Sequence, residues 1–181
     1  MTDPPDPAPT DAPEGEDGGA ADAGTGTPNA ADAADAANVA DAANVARRCA
    51  EAMYERDTAA HHLGIEIGGV APGRAQARMT LTEAMVNGHG VAHGGYLFLL
   101  ADTAFAYACN TYDAVTVAAA ADVVFVAPAR AGDVLEATAV ERTRFGRSGL
   151  YDVTVRRTSD NAVIAEFRGT SRSRPAPVLP Q

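Results

Sequence analysis

Residues 97–109, LFLLADTAFAYAC, form a helix-length run of apolar and small side chains interrupted by one charge, Asp102. A helix apolar nearly all round has no face to give to water, so the rest of the chain must enclose it. The carboxylate tightens that constraint. An ionised, unpaired carboxylate taken out of water carries a penalty of several kcal/mol even after relaxation. Asp102 is therefore either tied to a backbone amide or an arginine for structure, or it is there to be used.

The flanking segments supply the enclosure. LGIEIGGV (63–70) and GRAQARMTL (73–81) alternate in polarity around Pro72-Gly73, which reads as a hairpin. Beyond the apolar helix, residues 115–128, 133–145, 149–158 and 162–171 read as four more strands. Gly146-Arg147-Ser148 and Ser159-Asp160-Asn161 turn between the last three. Strands joined by short turns form an antiparallel sheet. The expected fold class is α+β: one curved antiparallel sheet wrapped around a central apolar helix at residues 94–110. Such a sheet leaves its outer face and edges for self-association.

Charge divides the chain more sharply than length does. The first 46 of its 181 residues hold ten acids and no base; the remaining 135 hold 14 arginines against 14 acids. Residues 1 to about 33, rich in Pro, Gly, Ala and Asp, read as disordered. The alanine-rich stretch that follows has high helix propensity and turns amphipathic from Ala46, with Cys49, Ala50, Met53 and Tyr54 on the same stripe. This gives a tail over 1–45 running into a helix, one domain over 46–174, and a loose C-terminal tail over 175–181.

Neither part has the basic face that nucleic acid requires. No run approaches the roughly 18 apolar residues of a membrane span, and the N-terminus lacks the basic opening and apolar stretch of an export signal. Two cysteines, Cys49 and Cys109, are too few for a disulfide framework, so a reduced cytoplasmic setting is expected.

NGHGVAHGGYLFLLADTAFAYACN (87–110) closely resembles the core of the hotdog-fold thioesterases of the phenylacetic-acid-degradation (PaaI) type. The likeness continues through AMYERD and LGIEI before it and YDV and FRG after it, over about residues 46–174. It implies a hotdog subunit assembled as a homodimer and usually a homotetramer, with acyl-coenzyme A thioesters as substrates. Ring-hydroxylated phenylacetyl-CoA and similar aryl thioesters are the implied preference. No cofactor is implied.

Thioester hydrolysis needs a group to polarise the carbonyl and a group to deliver or generate the nucleophile. Gly94 and Gly95 open the apolar helix, where backbone N–H groups and the positive end of the helix dipole face a developing oxyanion. The same glycines also serve a tight entry turn. Asp102, at the position of the family's carboxylate, is the second group, either general base or nucleophile. The family pattern carries an amide at Asn87, which implies positioning water or bonding the thioester. His93 orients the loop or contacts substrate.

His89 and His93 stand four residues apart, but the segment lacks the glutamate of a zinc-binding helix, and no further cluster suggests a metal. Thr103 neighbours the carboxylate; bonding back to a helical carbonyl is its duller role. Cys109 reads as a buried inert thiol. Arg130, Arg144 and Arg147 are the arginines placed to meet the phosphates of coenzyme A, with solvated surface charge as the alternative. Phe98 and Phe105 are core residues or acyl-pocket walls.

Asp102 follows Gly94 by eight residues, about 12 Å along a helix. Groups acting on one carbonyl must lie within roughly 3 Å of it. Gly94 of one subunit is therefore expected to work with Asp102 of another. Two other classes remain open: a non-catalytic acyl-CoA sensor, and a hydratase or dehydratase. The last would want a histidine beside an acid within the helix, and none is present there.

Overall fold

The alternation around the apolar segment is realised as six strands in one sheet. A computed structural model describes residues 30–180. Most of the expected disordered stretch lies outside that range; its last residues, from Ala30, are helical. The elements are α1 (Ala30–Tyr54), α2 (Thr58–Leu63), β1 (Glu66–Ala71), β2 (Arg74–Thr80), α3 (Gly94–Cys109), β3 (Thr116–Phe125), β4 (Val134–Phe145), β5 (Ser148–Arg157) and β6 (Val163–Ser173), with one 3-10 turn at Glu83–Met85. The sheet order is β1-β2-β4-β5-β6-β3, antiparallel throughout. This is the hotdog arrangement, with α3 inside the curve of the sheet.

Small side chains on the sheet let α3 approach it closely. Ala75 pairs with Ala139 and Ala77 with Ala137 across β2 and β4, and all four are buried beneath the helix residues Leu97, Leu100, Ala101 and Ala104. On β6, a Cβ at Gly169 would lie 2.9 Å from the Phe105 ring, so only glycine leaves room for that ring. Phe105 is fully buried and meets Tyr151 edge-on at 5.4 Å. Truncating a side chain such as Leu100 here would cost about 2–5 kcal/mol.

Enclosure of α3 is incomplete. Gly95, Leu99, Asp102, Thr103 and Ala106 recur at helical spacing and stay at least partly exposed, while Leu100, Ala101, Ala104, Phe105 and Ala108 are fully buried. A single sheet cannot close around a whole helix, and Asp102 lies on the stripe it leaves open.

Residues 34–44 of α1 are exposed, and the helix docks from Ala46 onward through Ala46, Cys49 and Ala50. Alternation gives no sign of α2. Asp57 starts that helix, its Oδ1 accepting from the Ala60 N–H (3.0 Å) and its Oδ2 from the Tyr107 hydroxyl (3.1 Å). The C-terminal segment, expected to be loose, is docked instead. Asp113 Oδ1 accepts the N–H groups of Val178 and Leu179, both at 2.9 Å, and Val178 is buried. Two backbone amides satisfied by one carboxylate, plus a buried valine, hold it in place.

Candidate active site

His93 and the two glycines after it set the start of α3. His93 has extended backbone and caps the helix: its Nδ1 accepts from the Gly95 N–H at 3.0 Å, and its carbonyl accepts from the Tyr96 N–H. In the neutral ring that acceptor role leaves the proton on Nε2. The Gly95 amide is thus occupied rather than free. The Gly94 N–H has no acceptor among the described residues. It is one of the first-turn amides for which the helix itself supplies no acceptor.

Asn87 reaches the same place from the preceding loop. Its Oδ1 accepts from the His89 N–H (2.9 Å) and its backbone closes the loop through Val91 O (2.8 Å), holding Asn87 beside Gly94. Asn87, Ala92, Gly94, Leu97, Phe125 and Ala129 are among the residues lining a cleft of about 400 Å³ at the helix start. Arg130 follows the lining residue Ala129 in the chain, its guanidinium donating to Gly90 O at 3.4 Å and its backbone N–H to Asp133 Oδ2 at 2.9 Å.

Asp102 and Thr103 do not line this cleft. With α3 continuous from Gly94 to Cys109, the rise to Asp102 is about 12 Å. Burial alone holds the Asp102 carboxyl above the ordinary carboxylate range; no hydrogen bond or ion pair among the described residues acts on it. The structural reading of this residue, a tie to an amide or an arginine, has no partner to support it within the described chain. Thr103 bonds back to Leu99 O at 2.8 Å. Burial pushes the Cys109 thiol up to about 12, which leaves it protonated and inert.

Arg144 and Arg147 lie at the other end of α3. Together with Cys109, Tyr112, Tyr151 and Ser171 they border a cavity of about 50 Å³, and Arg144 stacks over the Tyr112 ring at 3.9 Å. One chain therefore brings together Asn87, His93, Gly94, Gly95 and Arg130, and leaves Asp102, Thr103, Arg144 and Arg147 elsewhere. Phe98 packs edge-on to Phe167 at 5.3 Å, and Phe105 is core. The aromatic residue that does line the cleft is Phe125, which closes a strand otherwise built of small side chains. A lone large ring ending VTVAAAADVVF was the available signal.

The thioesterase superfamily pattern matches residues 89–164. The acyl-coenzyme A thioesterase PaaI of Escherichia coli strain K12 is 48% identical over 122 residues, which cover 67% of this chain and 86% of that protein. The structure of the E. coli PaaI protein from the phenylacetic acid degradation operon superposes with a TM-score of 0.73 at 43% identity, over 75% of this chain and 97% of that one. A mutant form of the phenylacetic acid degradation protein PaaI from Thermus thermophilus has a TM-score of 0.61 at 35% identity, over 64% of this chain and 98% of that one.

Proposed function

This chain belongs to the thioesterase superfamily as a PaaI-type hotdog acyl-CoA thioesterase, and from that premise we propose that it hydrolyses aryl acyl-CoA thioesters, hydroxyphenylacetyl-CoA or a close relative, at a site shared between two subunits. The observation that carries the reading is the separation of the two halves of the chemistry. An unpartnered carboxylate sits on the uncovered stripe of α3, about 12 Å from the amide left free at the helix start.

In the shared site the thioester carbonyl oxygen accepts the Gly94 N–H, and the helix dipole favours the negative charge that develops there. Asn87 holds the thioester or the water beside it, and His93 fixes the loop. Asp102 of the other subunit, as carboxylate, either draws a proton from the attacking water or attacks the carbonyl carbon itself. The C–S bond breaks, and the coenzyme A thiolate departs and is protonated. By the water route the free acid is left at once; by the nucleophilic route a mixed anhydride on Asp102 is left, which a second-step water hydrolyses to the free acid. Arg130 is the arginine placed at the cleft rim to meet coenzyme A phosphates. Arg144 and Arg147 lie away from the cleft of their own chain, so their contact with coenzyme A is to a cleft of another subunit.

Exposed apolar surface supports the homodimer, and with its outer sheet face the tetramer. Strand β3 is a sheet edge, and Val117 and Val124 on it and Val126 just after it are exposed. Leu99, Thr103 and Ala106 add the uncovered stripe of α3. Both cysteines are free, which supports a cytoplasmic setting; no described helix is long and apolar enough to cross a membrane.

Free thiol release from a panel of acyl-CoAs, hydroxyphenylacetyl-CoA included, tests the activity in wild type and in Asp102→Asn. Hydrolysis that collapses in a folded, oligomeric variant supports the reading, and a wild type that binds acyl-CoA without turnover would make the protein a sensor. Mixing Asp102→Ala chains with Gly94→Pro chains tests the sharing. In a two-fold dimer random mixing restores one good site in half the dimers, about a quarter of wild-type activity; no recovery would place the whole site in one chain.

A further inference from the structure

Phe125 ends β3 at the mouth of the cleft, 53% exposed. Its ring lies face-on against Gly94: a Cβ built there would meet Phe125 Cζ at 2.8 Å and the two Cε atoms at 3.2 and 3.3 Å, distances that put it over the ring face rather than off its tip. One ring face therefore covers Gly94, and Phe125 pairs with no other aromatic ring among the described residues. The ring is part of the lining of the cleft that also holds Asn87 and Gly94. The strand fixes this placement. Asp122 and Val124 border a cleft on the outer side of the sheet, while Val123 packs on the core, so Phe125 shares the helix-facing side.

From this geometry we infer that Phe125 is a specificity-determining residue, the ring face turned away from Gly94 receiving the planar acyl group of an aryl thioester while the face packed on Gly94 fixes where that group stands relative to the Gly94 N–H. The inference rests on the thioesterase reading and adds to it the element that separates aryl from straight-chain substrates. Three features combine at this one residue. The absence of a side chain at 94 gives the ring its seat. The free amide at 94 gives the carbonyl its hydrogen bond. Half-exposure leaves the ring face open to a ligand instead of closing it into the core. Aromatic pairs prefer offset or edge-to-face contact and gain beyond simple burial. An alkyl chain gains only the burial.

The test compares kcat/KM for phenylacetyl-CoA and hexanoyl-CoA in wild type, Phe125→Leu and Phe125→Tyr, with size-exclusion and thermal melting on each. Phe125→Leu is expected to lower the aryl-to-alkyl ratio by about three- to tenfold, almost wholly through the aryl substrate, while Phe125→Tyr keeps the ratio within about twofold. An unchanged ratio in an active Phe125→Leu enzyme overturns the inference and leaves the thioesterase reading standing. So does a loss that follows dissociation of the oligomer. A wild type that releases no thiol from any acyl-CoA takes down the thioesterase reading, and this inference with it.

A second pair tests the contact itself. Gly94→Ala puts a methyl into the ring's seat and should reduce turnover; Gly94→Ala/Phe125→Leu, with a shorter side chain opposite, should recover part of it. A double variant no better than Gly94→Ala alone would show that the ring does not bear on residue 94.

Discussion

At the C-terminal end of α3 the polar side chains are fully engaged, whereas at its N-terminal end one amide is left over. Asn110 donates through Nδ2 to Ala106 O (2.9 Å) and Thr116 O (2.8 Å), and accepts from the Thr116 N–H (2.8 Å). The Thr111 hydroxyl donates to Ala108 O and accepts from the Gly73 N–H, both at 2.8 Å. Both side chains are buried. At the other end His93 satisfies Gly95, and Gly94 has no acceptor among the described residues. The same helix thus ends once in a closed network that joins it to β3 and the β1–β2 turn, and once in an open donor facing a cleft. Closed networks of this kind fix a fold; an open donor is retained where a ligand is to complete it.

Substitutions at the two ends should separate accordingly. Asp102→Asn, which removes the group that answers the open end, should lower kcat by roughly 10²–10⁴-fold while the oligomer stays intact in size-exclusion; a variant within tenfold of wild type would move the chemistry off this helix. Asn110→Ala should cost about 2–3 kcal/mol in urea unfolding, since it strips partners from both backbone groups of Thr116. The kcat of its folded fraction should hold. If turnover fell more than stability, the contrast between the ends would fail.

His93→Ala lies between these, with about 1 kcal/mol lost from the helix cap and a fall in kcat/KM smaller than that of Asp102→Asn. The smallest effect is on stability at Asp102 itself. Because burial raises its pKa in the folded state, the proton is held more tightly there than in the unfolded chain. The stabilisation of the protonated form is complete below the ordinary carboxylate range and is lost as pH rises through the raised value. Asp102→Asn should therefore melt slightly above wild type at pH 7, with the difference vanishing in acid. In wild type the same raised value should set the acid limb of kcat/KM above the usual carboxylate range.

The strands and the apolar helix were legible because their cues are local: alternation between Pro72-Gly73 and Gly146, and a run apolar on all sides over 97–109. What escaped depends on distant partners. The six residues of α2 carry no usable period and are held by Asp57, which also meets Tyr107 fifty positions on. The C-terminal segment looks loose until Asp113, 65 positions earlier, is seen to accept two of its amides. Asp102, Gly94, His93 and Asn87 could be named as candidates from the motif. That His93 occupies the Gly95 amide depends on its rotamer, and that Phe125 reaches Gly94 depends on how the end of β3 meets the start of α3.

The outer half of α1 bears on how such stabilities are to be measured. Residues 34–44 rise about 16 Å ahead of the docked half and are exposed. Helix is costly to nucleate but cheap to extend, and here the docked turns from Ala46 onward are the nucleus. On warming, the arm should therefore unwind residue by residue from Ala30, well before the sheet and α3 give way together. Circular dichroism at 222 nm would record this as a steep slope ahead of the transition. The chain has no tryptophan, so the near-ultraviolet signal of buried Tyr107 and Tyr151 is the probe that follows the domain without its arm.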